Sequence, residues 1–89
     1  MLVLKRRPGE SVEIPSYGVT IKVARVIDSQ SVWLVIRGES CGPYRKGDQL
    51  KIGDVTLCVT GFHGSKVKLG FDAPKEIEIL RTELVRRVA

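Results

Sequence analysis

Arginine and lysine are concentrated in three short stretches of the chain, and these residues are the best suited to chemistry with an anionic partner. In chain order the stretches are Lys5-Arg6-Arg7, Arg45-Lys46, and Arg81 with Arg86 and Arg87. Guanidinium groups donate paired hydrogen bonds to phosphates and to the acceptor edge of guanine, and they stack on bases. A simpler interpretation of the first stretch is protection of an exposed strand edge against aggregation. The residue types alone leave both interpretations open.

The sequence offers little for catalysis or metal binding. His63 is the one histidine; it lies beside Gly64 in a predicted turn, and no nucleophile motif surrounds it. The 10 acidic residues are scattered and show no spacing typical of a metal site. No glycine-rich phosphate loop is present. We therefore expect no enzyme activity, no metal site and no cofactor.

Length and charge narrow the class of protein. The chain has 89 residues, of which 43% are hydrophobic and 28% charged, so we expect one small domain, residues 1–89. A chain of this size is marginal as an isolated core, which favours close repeat packing or self-association. The net charge of +5 suggests a polyanionic partner or, alternatively, only a solvated basic surface.

Nothing in the sequence predicts a membrane or secreted protein. No apolar stretch approaches the roughly 20 residues that a membrane span requires, and the start lacks the apolar core of a signal peptide. Cys41 and Cys58 lack the close spacing of a metal or redox pair. We expect reduced thiols and a cytoplasmic location, with no membrane partner.

Apolar and polar residues alternate along most of the chain, which predicts a mainly β fold. The predicted strands are residues 1–7, 12–14, 19–23, 32–36, 50–52, 55–59, 67–71 and 77–79. Gly38, Gly42, Pro43 and Gly47 mark a turn-rich connector, residues 38–47, in the middle. Only residues 82–89 have helical spacing, which predicts a short C-terminal helix.

The strands form an internal repeat. GVTIKV and SVWLVI in the first half match DVTLCV and KVKLGF in the second. Residues 1–37 form the first half with a leading strand, and residues 48–89 form the second half with a closing strand and helix. The leading strand has no counterpart before Gln49, and the closing segment has none after Ile36. We therefore expect two similar halves with complementary additions.

Two stretches resemble a known family. MLVLKRRPGESVEI is similar to the opening of the carbon storage regulator (CsrA/RsmA) family of bacterial RNA-binding translational regulators, and GDVTLCVTGFHGSKVKLGFDAPKEIEILRTEL is similar to the rest of that family's chain. The resemblance implies an interlocked dimer in which strands one and five of each subunit flank the middle strands of the other. Here a second copy of the middle strands implies a single-chain pseudo-dimer, a CsrA-like β barrel or sandwich, with a fifth strand missing from the first half and a first strand missing from the second.

The resemblance also implies one intact RNA site, between the first strand and the fifth. Carried over by position, it comprises Leu4, Lys5, Arg6, Arg7, Asp72, Ala73, Pro74, Lys75, Ile79 and Arg81. The implied ligand is single-stranded RNA with a GGA motif in a hairpin loop, in mRNA or a small regulatory RNA. The implied result is regulation of translation.

The residues are also compatible with other functions. The chain could have lost RNA binding and act as a protein-interaction module, or as a competitor of a normal regulator. It could also bind a protein antagonist or duplex DNA. The uncovered sheet edges predict either a monomeric pseudo-dimer or a homodimer joined through those edges.

Overall fold

The computed structural model describes residues 1–81 and is mainly β, as the alternation predicted. A single 3₁₀ turn, Pro15–Tyr17, follows the second strand. The strands are β1 (Leu2–Arg6), β2 (Ser11–Ile14), β3 (Val19–Ile27), β4 (Ser31–Ile36), β5 (Glu39–Arg45), β6 (Gln49–Ile52), β7 (Val55–His63), β8 (Lys66–Asp72) and β9 (Leu80–Arg81). The predicted C-terminal helix, residues 82–89, lies outside the described residues.

The strands form two antiparallel sheets that exchange their outer strands. One sheet has the order β1-β8-β7-β6, and the other has the order β5-β4-β3-β2-β9. The leading strand β1 therefore lies beside the last strand of the second repeat, while the closing strand β9 lies beside β2 of the first repeat. This exchange is the interlocking that the family resemblance implied, formed within one chain.

The core lies between the inner faces of the two sheets. Successive side chains on a strand point to opposite faces, so every second residue is buried. The fully buried side chains are nearly all aliphatic, and they come from both repeats: Val12, Ile14, Val19, Ile21, Val23, Val32, Leu34, Val55, Leu57, Val67, Leu69 and Phe71. Two shallow faces thereby close one core, which explains how so short a chain folds.

The connector differs from its predicted form. Residues 38–47 were expected to be turn-rich, but Glu39–Arg45 forms β5, which pairs with β4 as β1 pairs with β8. Pro43 is accommodated because β5 is an edge strand and because a bulge lies in the ladder between Val32 and Leu34. The second half therefore has a first strand, and the prediction that it lacks one was wrong.

The closing strand is also displaced from its predicted position. Ile77 donates its backbone N–H to Pro74 O over 3.0 Å, which closes a turn where a strand was expected at residues 77–79. The strand β9 begins three residues later, at Leu80. Ile79 therefore precedes β9 and does not belong to its ladder.

Polar contacts join the two halves at both ends of the molecule. The backbone N–H of Asp54 donates to the Tyr17 hydroxyl over 3.0 Å, and the Tyr17 ring lies over Gly53. At the other end, the Ser29 hydroxyl donates to Gly64 O over 2.6 Å, which links the tips of the β3–β4 and β7–β8 hairpins. These contacts fix how one repeat sits on the other.

Candidate nucleic-acid interface

The leading strand β1 and the closing strand β9 meet at one side of the molecule. β1 is an edge strand of the first sheet, and β9 is an edge strand of the second. The turn from Arg7 to Glu10 carries the chain from β1 directly into β2, and β9 pairs with β2 in the register Val12↔Arg81. The end of β1 and the end of the described chain are therefore neighbours across the boundary between the sheets.

A cleft of about 250 Å³ lies at this boundary. We call it the edge cleft, and its lining residues are Lys5, Arg6, Arg7, Glu10, Lys66 and Arg81. Five of the six are cationic, and they come from positions as far apart as Lys5 and Arg81. Folding thus gathers charges from three separate parts of the sequence into one surface, which is suited to a phosphate backbone.

Arg6 has a different environment from its neighbours. Its side chain is only 4% exposed; its Nε donates to Lys5 O over 2.9 Å, and Nη1 donates to Ser11 O over 3.4 Å. A buried guanidinium held by two carbonyls is fixed in orientation. Arg6 therefore braces the turn between β1 and β2, and only a small part of it faces the cleft.

Glu10 organises the same turn. Its Oε1 accepts the backbone N–H of Arg7 over 2.7 Å and lies 3.9 Å from Arg6 Nε. The side chains of Lys5, Arg7 and Arg81 are exposed. Because the one carboxylate in the cleft is already engaged by the turn, the exposed cations remain available to an anionic ligand.

Lys66 belongs to the edge cleft, although the sequence analysis did not single it out. It begins β8, and the register Arg6↔Val67 places it beside Arg7 at the end of the antiparallel pair. The signal that could have found it is this pairing of the first strand with the strand of KVKLGF. That pairing depends on the long-range exchange of strands, which no local pattern reveals.

The other predicted residues line a second, more apolar recess. It has a volume of about 260 Å³ and contains Met1, Leu2, Phe71, Asp72, Ala73, Pro74, Lys75, Ile77 and Ile79. It holds five of the predicted site residues, and it adds the exposed side chains of Met1 and Leu2. We call it the apolar recess, and it lies beside the start of β1 while the edge cleft lies at its end.

Leu4 is the one predicted site residue whose side chain is in the core. It is 8% exposed and packs in the buried cluster, since alternation on β1 turns Leu4 and Arg6 inward and Lys5 outward. Only the main chain of Leu4 can face a ligand. β1 is an edge strand, so the backbone groups on its outer side have no strand partner among the described residues.

A second basic stretch, Arg45-Lys46, lines a separate cleft of about 530 Å³ together with Lys68. Among residues 1–81, no group of three or more His, Cys, Asp and Glu side chains could hold a metal ion. The described part of the chain also has no helix that is long and apolar enough to cross a membrane.

The strand β5 carries only part of the side-chain chemistry found at the equivalent positions of β1. Pairing with β4 places Cys41, Tyr44 and Arg45 where Leu4, Arg6 and Arg7 lie on β1. Burial raises the pKa of the Tyr44 hydroxyl above its ordinary value of 10.0, and the nearby Cys41 and Asp48 add to the shift.

Among residues 1–81, no strand equivalent to β9 lies at this second position. The first sheet ends at β6, whose outer edge pairs with no strand within residues 1–81. The interlocked architecture allows two places at which a first strand and a closing strand meet. The described residues form one of them, between β1 and β9.

Comparison with known proteins finds sequence similarity to one family over about half of the chain. Residues 44–89 match the sequence model of CsrA, described as the global regulator protein family. The chain is similar to the translational regulator CsrA of Caldicellulosiruptor bescii, with 47% identity over 45 residues, which are 49% of this chain. It is likewise similar to the translational regulator CsrA of Hydrogenovibrio crunogenus, with 48% identity over 42 residues, which are 46% of this chain. No solved structure matches the chain.

The family model covers the second half of the chain, and the opening stretch Met1 to Ile14 lies outside its matched range. The chain spans 58% and 60% of the lengths of the two relatives. The matched residues 44–89 are just over half of the 89-residue chain, and they contain β6, β7, β8 and β9. The chain therefore belongs to the CsrA global regulator protein family.

Proposed function

We propose that this protein binds single-stranded RNA and regulates translation, with one RNA site per chain formed by the edge cleft and the apolar recess. Its curated relatives are named translational regulators, which supports this function class. The single observation that carries the proposal is the joining of Arg81 with Lys5 and Arg7 in one cleft across the boundary between the sheets.

The chemistry of the two surfaces suits two parts of an RNA strand. Exposed Lys5, Arg7 and Arg81 and half-buried Lys66 would hold phosphates, and the arginines would also bond the O6 and N7 acceptors of guanine. The apolar recess would receive splayed bases against Leu2 and Ile79. The open edge of β1 adds main-chain groups that can bond base edges. This combination selects unpaired bases, since a duplex hides those edges.

We propose a GGA element in a hairpin loop as the ligand, in mRNA or a small regulatory RNA. Guanine offers two acceptors to a guanidinium fork, so two guanines suit the two exposed arginines Arg7 and Arg81. Binding to such an element near a ribosome-binding site would block initiation of translation.

One site per chain changes how the protein would act on a transcript. A protein with two sites gains avidity by bridging two elements on one RNA, whereas one site binds each element independently. The absence of a strand beside β6 within the described residues and the replacement of Arg6 by Tyr44 on β5 support the single site. A weaker repressor, or a competitor of a two-site regulator, is the expected role.

A competition gel shift tests the proposed function. Labelled GGA hairpin RNA should bind, and unlabelled GGA hairpin should displace it. A matched hairpin with CCA in the loop and a DNA duplex of equal length should not displace it at similar concentrations. Equal displacement by all three competitors would contradict sequence-specific RNA binding, and displacement by the DNA duplex alone would favour a DNA-binding protein.

A specific observation also favours association through the edge of β6. Val12, which β9 covers, is fully buried, whereas Leu50 at the equivalent position of β6 is only half-buried. A strand added at β6 would complete this sheet as β9 completes the other. A second copy of the chain or a protein antagonist could supply it. Light scattering should show a mass that rises with concentration, and the mass of one chain throughout would contradict this association.

A further inference from the structure

A second basic cleft lies away from the edge cleft. It has a volume of about 530 Å³ and lies between the tip of the β3–β4 hairpin, the turn after β5 and the bulged part of β7. Its polar lining residues are Ser29, Gln30, Arg45, Lys46, Thr60 and Lys68. Three are cationic, the other three are neutral hydrogen-bonding groups, and none is acidic. We call it the hairpin cleft.

The two repeats differ at one cross-strand pair that lines the hairpin cleft. Each repeat has a bulge in its long strand, and the first pair after the bulge is Arg25↔Trp33 in one repeat and Gly61↔Lys68 in the other. A Cβ built at Gly61 would meet nothing within 4 Å, so this position opens onto free space. At this pair the second repeat therefore has glycine and lysine in place of the bulkier arginine and tryptophan. The lysine contributes an amine to the cleft.

A row of paired residues leads from the edge cleft to the hairpin cleft. Lys5 lines the edge cleft and lies directly opposite Lys68 in the β1–β8 pair, and Lys68 lies directly opposite Gly61 in the β8–β7 pair. Directly opposed residues of antiparallel strands share a face, so the Lys5 and Lys68 side chains both lie on the outer face. Two strand spacings, about 10 Å, separate β1 from β7.

We propose that the hairpin cleft binds the phosphate backbone of the RNA segment that flanks the element held at the edge cleft. The inference rests on the proposed RNA-binding function. Lysine and arginine without a competing carboxylate suit phosphate oxygens, and the Gln30 amide adds a neutral donor. These groups recognise phosphate rather than base identity, so the cleft adds affinity for longer RNA without adding sequence specificity.

Two RNAs and two kinds of variant test this inference. The short RNA is a GGA hairpin, and the long RNA is the same hairpin with about ten unpaired nucleotides at each end. The variant Lys46→Ala/Lys68→Ala removes two charges from the hairpin cleft, and Gly61→Leu fills the cleft with no change in charge. The control Lys22→Ala/Arg25→Ala removes two exposed charges of β3, neither of which lines the edge cleft or the hairpin cleft.

The unmodified protein should bind the long RNA about tenfold more tightly than the short one, and both cleft variants should lose most of this gain. Their affinity for the short RNA should stay within about twofold, and the charge variant should lower the salt dependence for long RNA by about 1.4. The control should keep the gain. A gain that persists in both cleft variants, or no gain in the unmodified protein, would overturn the inference. Failure of the proposed function is distinguishable, because the unmodified protein would then not bind the short RNA.

Discussion

Arg7 and Arg45 occupy equivalent positions in the two repeats. Each donates its backbone N–H over 2.7 Å to the carboxylate of the acid three residues later, Glu10 in one case and Asp48 in the other. The two turns are thus built alike, yet within residues 1–81 only the turn at Arg7 has a closing strand beside it. Similar local geometry therefore leads to different surfaces, and β9 is one source of the difference.

The exposed arginines of the edge cleft should dominate RNA binding. Arg7→Ala and Arg81→Ala should each lower the affinity for GGA hairpin RNA by about 10- to 100-fold, because each removes charge-assisted hydrogen bonds. Filter binding or fluorescence anisotropy measures the change. Arg25→Ala removes an exposed arginine of β3 and is the matched control, expected to bind as the unmodified protein does. Equal losses in all three variants would contradict the assignment of the site.

Replacing Arg6 should affect folding as well as binding. Arg6→Ala removes a buried guanidinium that bonds Lys5 O and Ser11 O, so we expect the free energy of unfolding to fall by about 1–3 kcal/mol. Urea denaturation measures this loss, and Arg7→Ala, which removes an exposed side chain, should change stability much less. If Arg6→Ala weakens RNA binding at full stability, the bracing role assigned to Arg6 is wrong.

The contact between Tyr17 and Gly53 should be sensitive to a single methyl group. Gly53 has a φ of 58°, and an added Cβ would lie 2.7 Å from Tyr17 Cζ. Gly53→Ala should therefore lower the free energy of unfolding by about 1–2 kcal/mol or more. Gly61→Ala is the control, since its Cβ meets open space at an ordinary φ. Denaturation curves that are the same for both variants would show that the Tyr17 contact is not tight in solution.

Tyr44 should make stability depend on pH in the alkaline range. Its folded-state pKa is raised, first by burial, so the protonated hydroxyl favours folding. This contribution is complete below the ordinary pKa of about 10 and is lost as the pH rises through the folded-state value. Tyr44→Phe should therefore make the alkaline decline of the unfolding free energy shallower. An alkaline decline of the same slope in both proteins would contradict the shift.

The alternation of side chains was enough to predict most strands and the β fold. Residues such as Val19 and Val67 are β-branched and alternate with polar ones, so the local pattern predicts both their conformation and their buried face. β5 was missed because Gly42 and Pro43 are typical of turns, and their tolerance depends on an edge position and a bulge. The edge position and the bulge arise from tertiary structure, so a local sequence pattern does not reveal them.

Part of the candidate site could also be predicted from the sequence. The resemblance grouped Arg7 with Arg81, and both residues line the edge cleft. Their role in RNA binding stays a prediction. The resemblance did not distinguish exposed Arg7 from buried Arg6, because that difference depends on which face of β1 turns inward. Nor did it find Lys66 or the hairpin cleft, whose residues converge only after the two repeats pack.

Isothermal titration of the full chain with a short GGA hairpin tests the central proposal most directly. The hairpin should contain one GGA element and no unpaired flanks, so that only the edge cleft and the apolar recess engage it. We predict one RNA bound per chain, with binding abolished or greatly weakened in Arg7→Ala/Arg81→Ala. Two RNAs per chain, or no binding by the unmodified protein, would contradict a single composite RNA site.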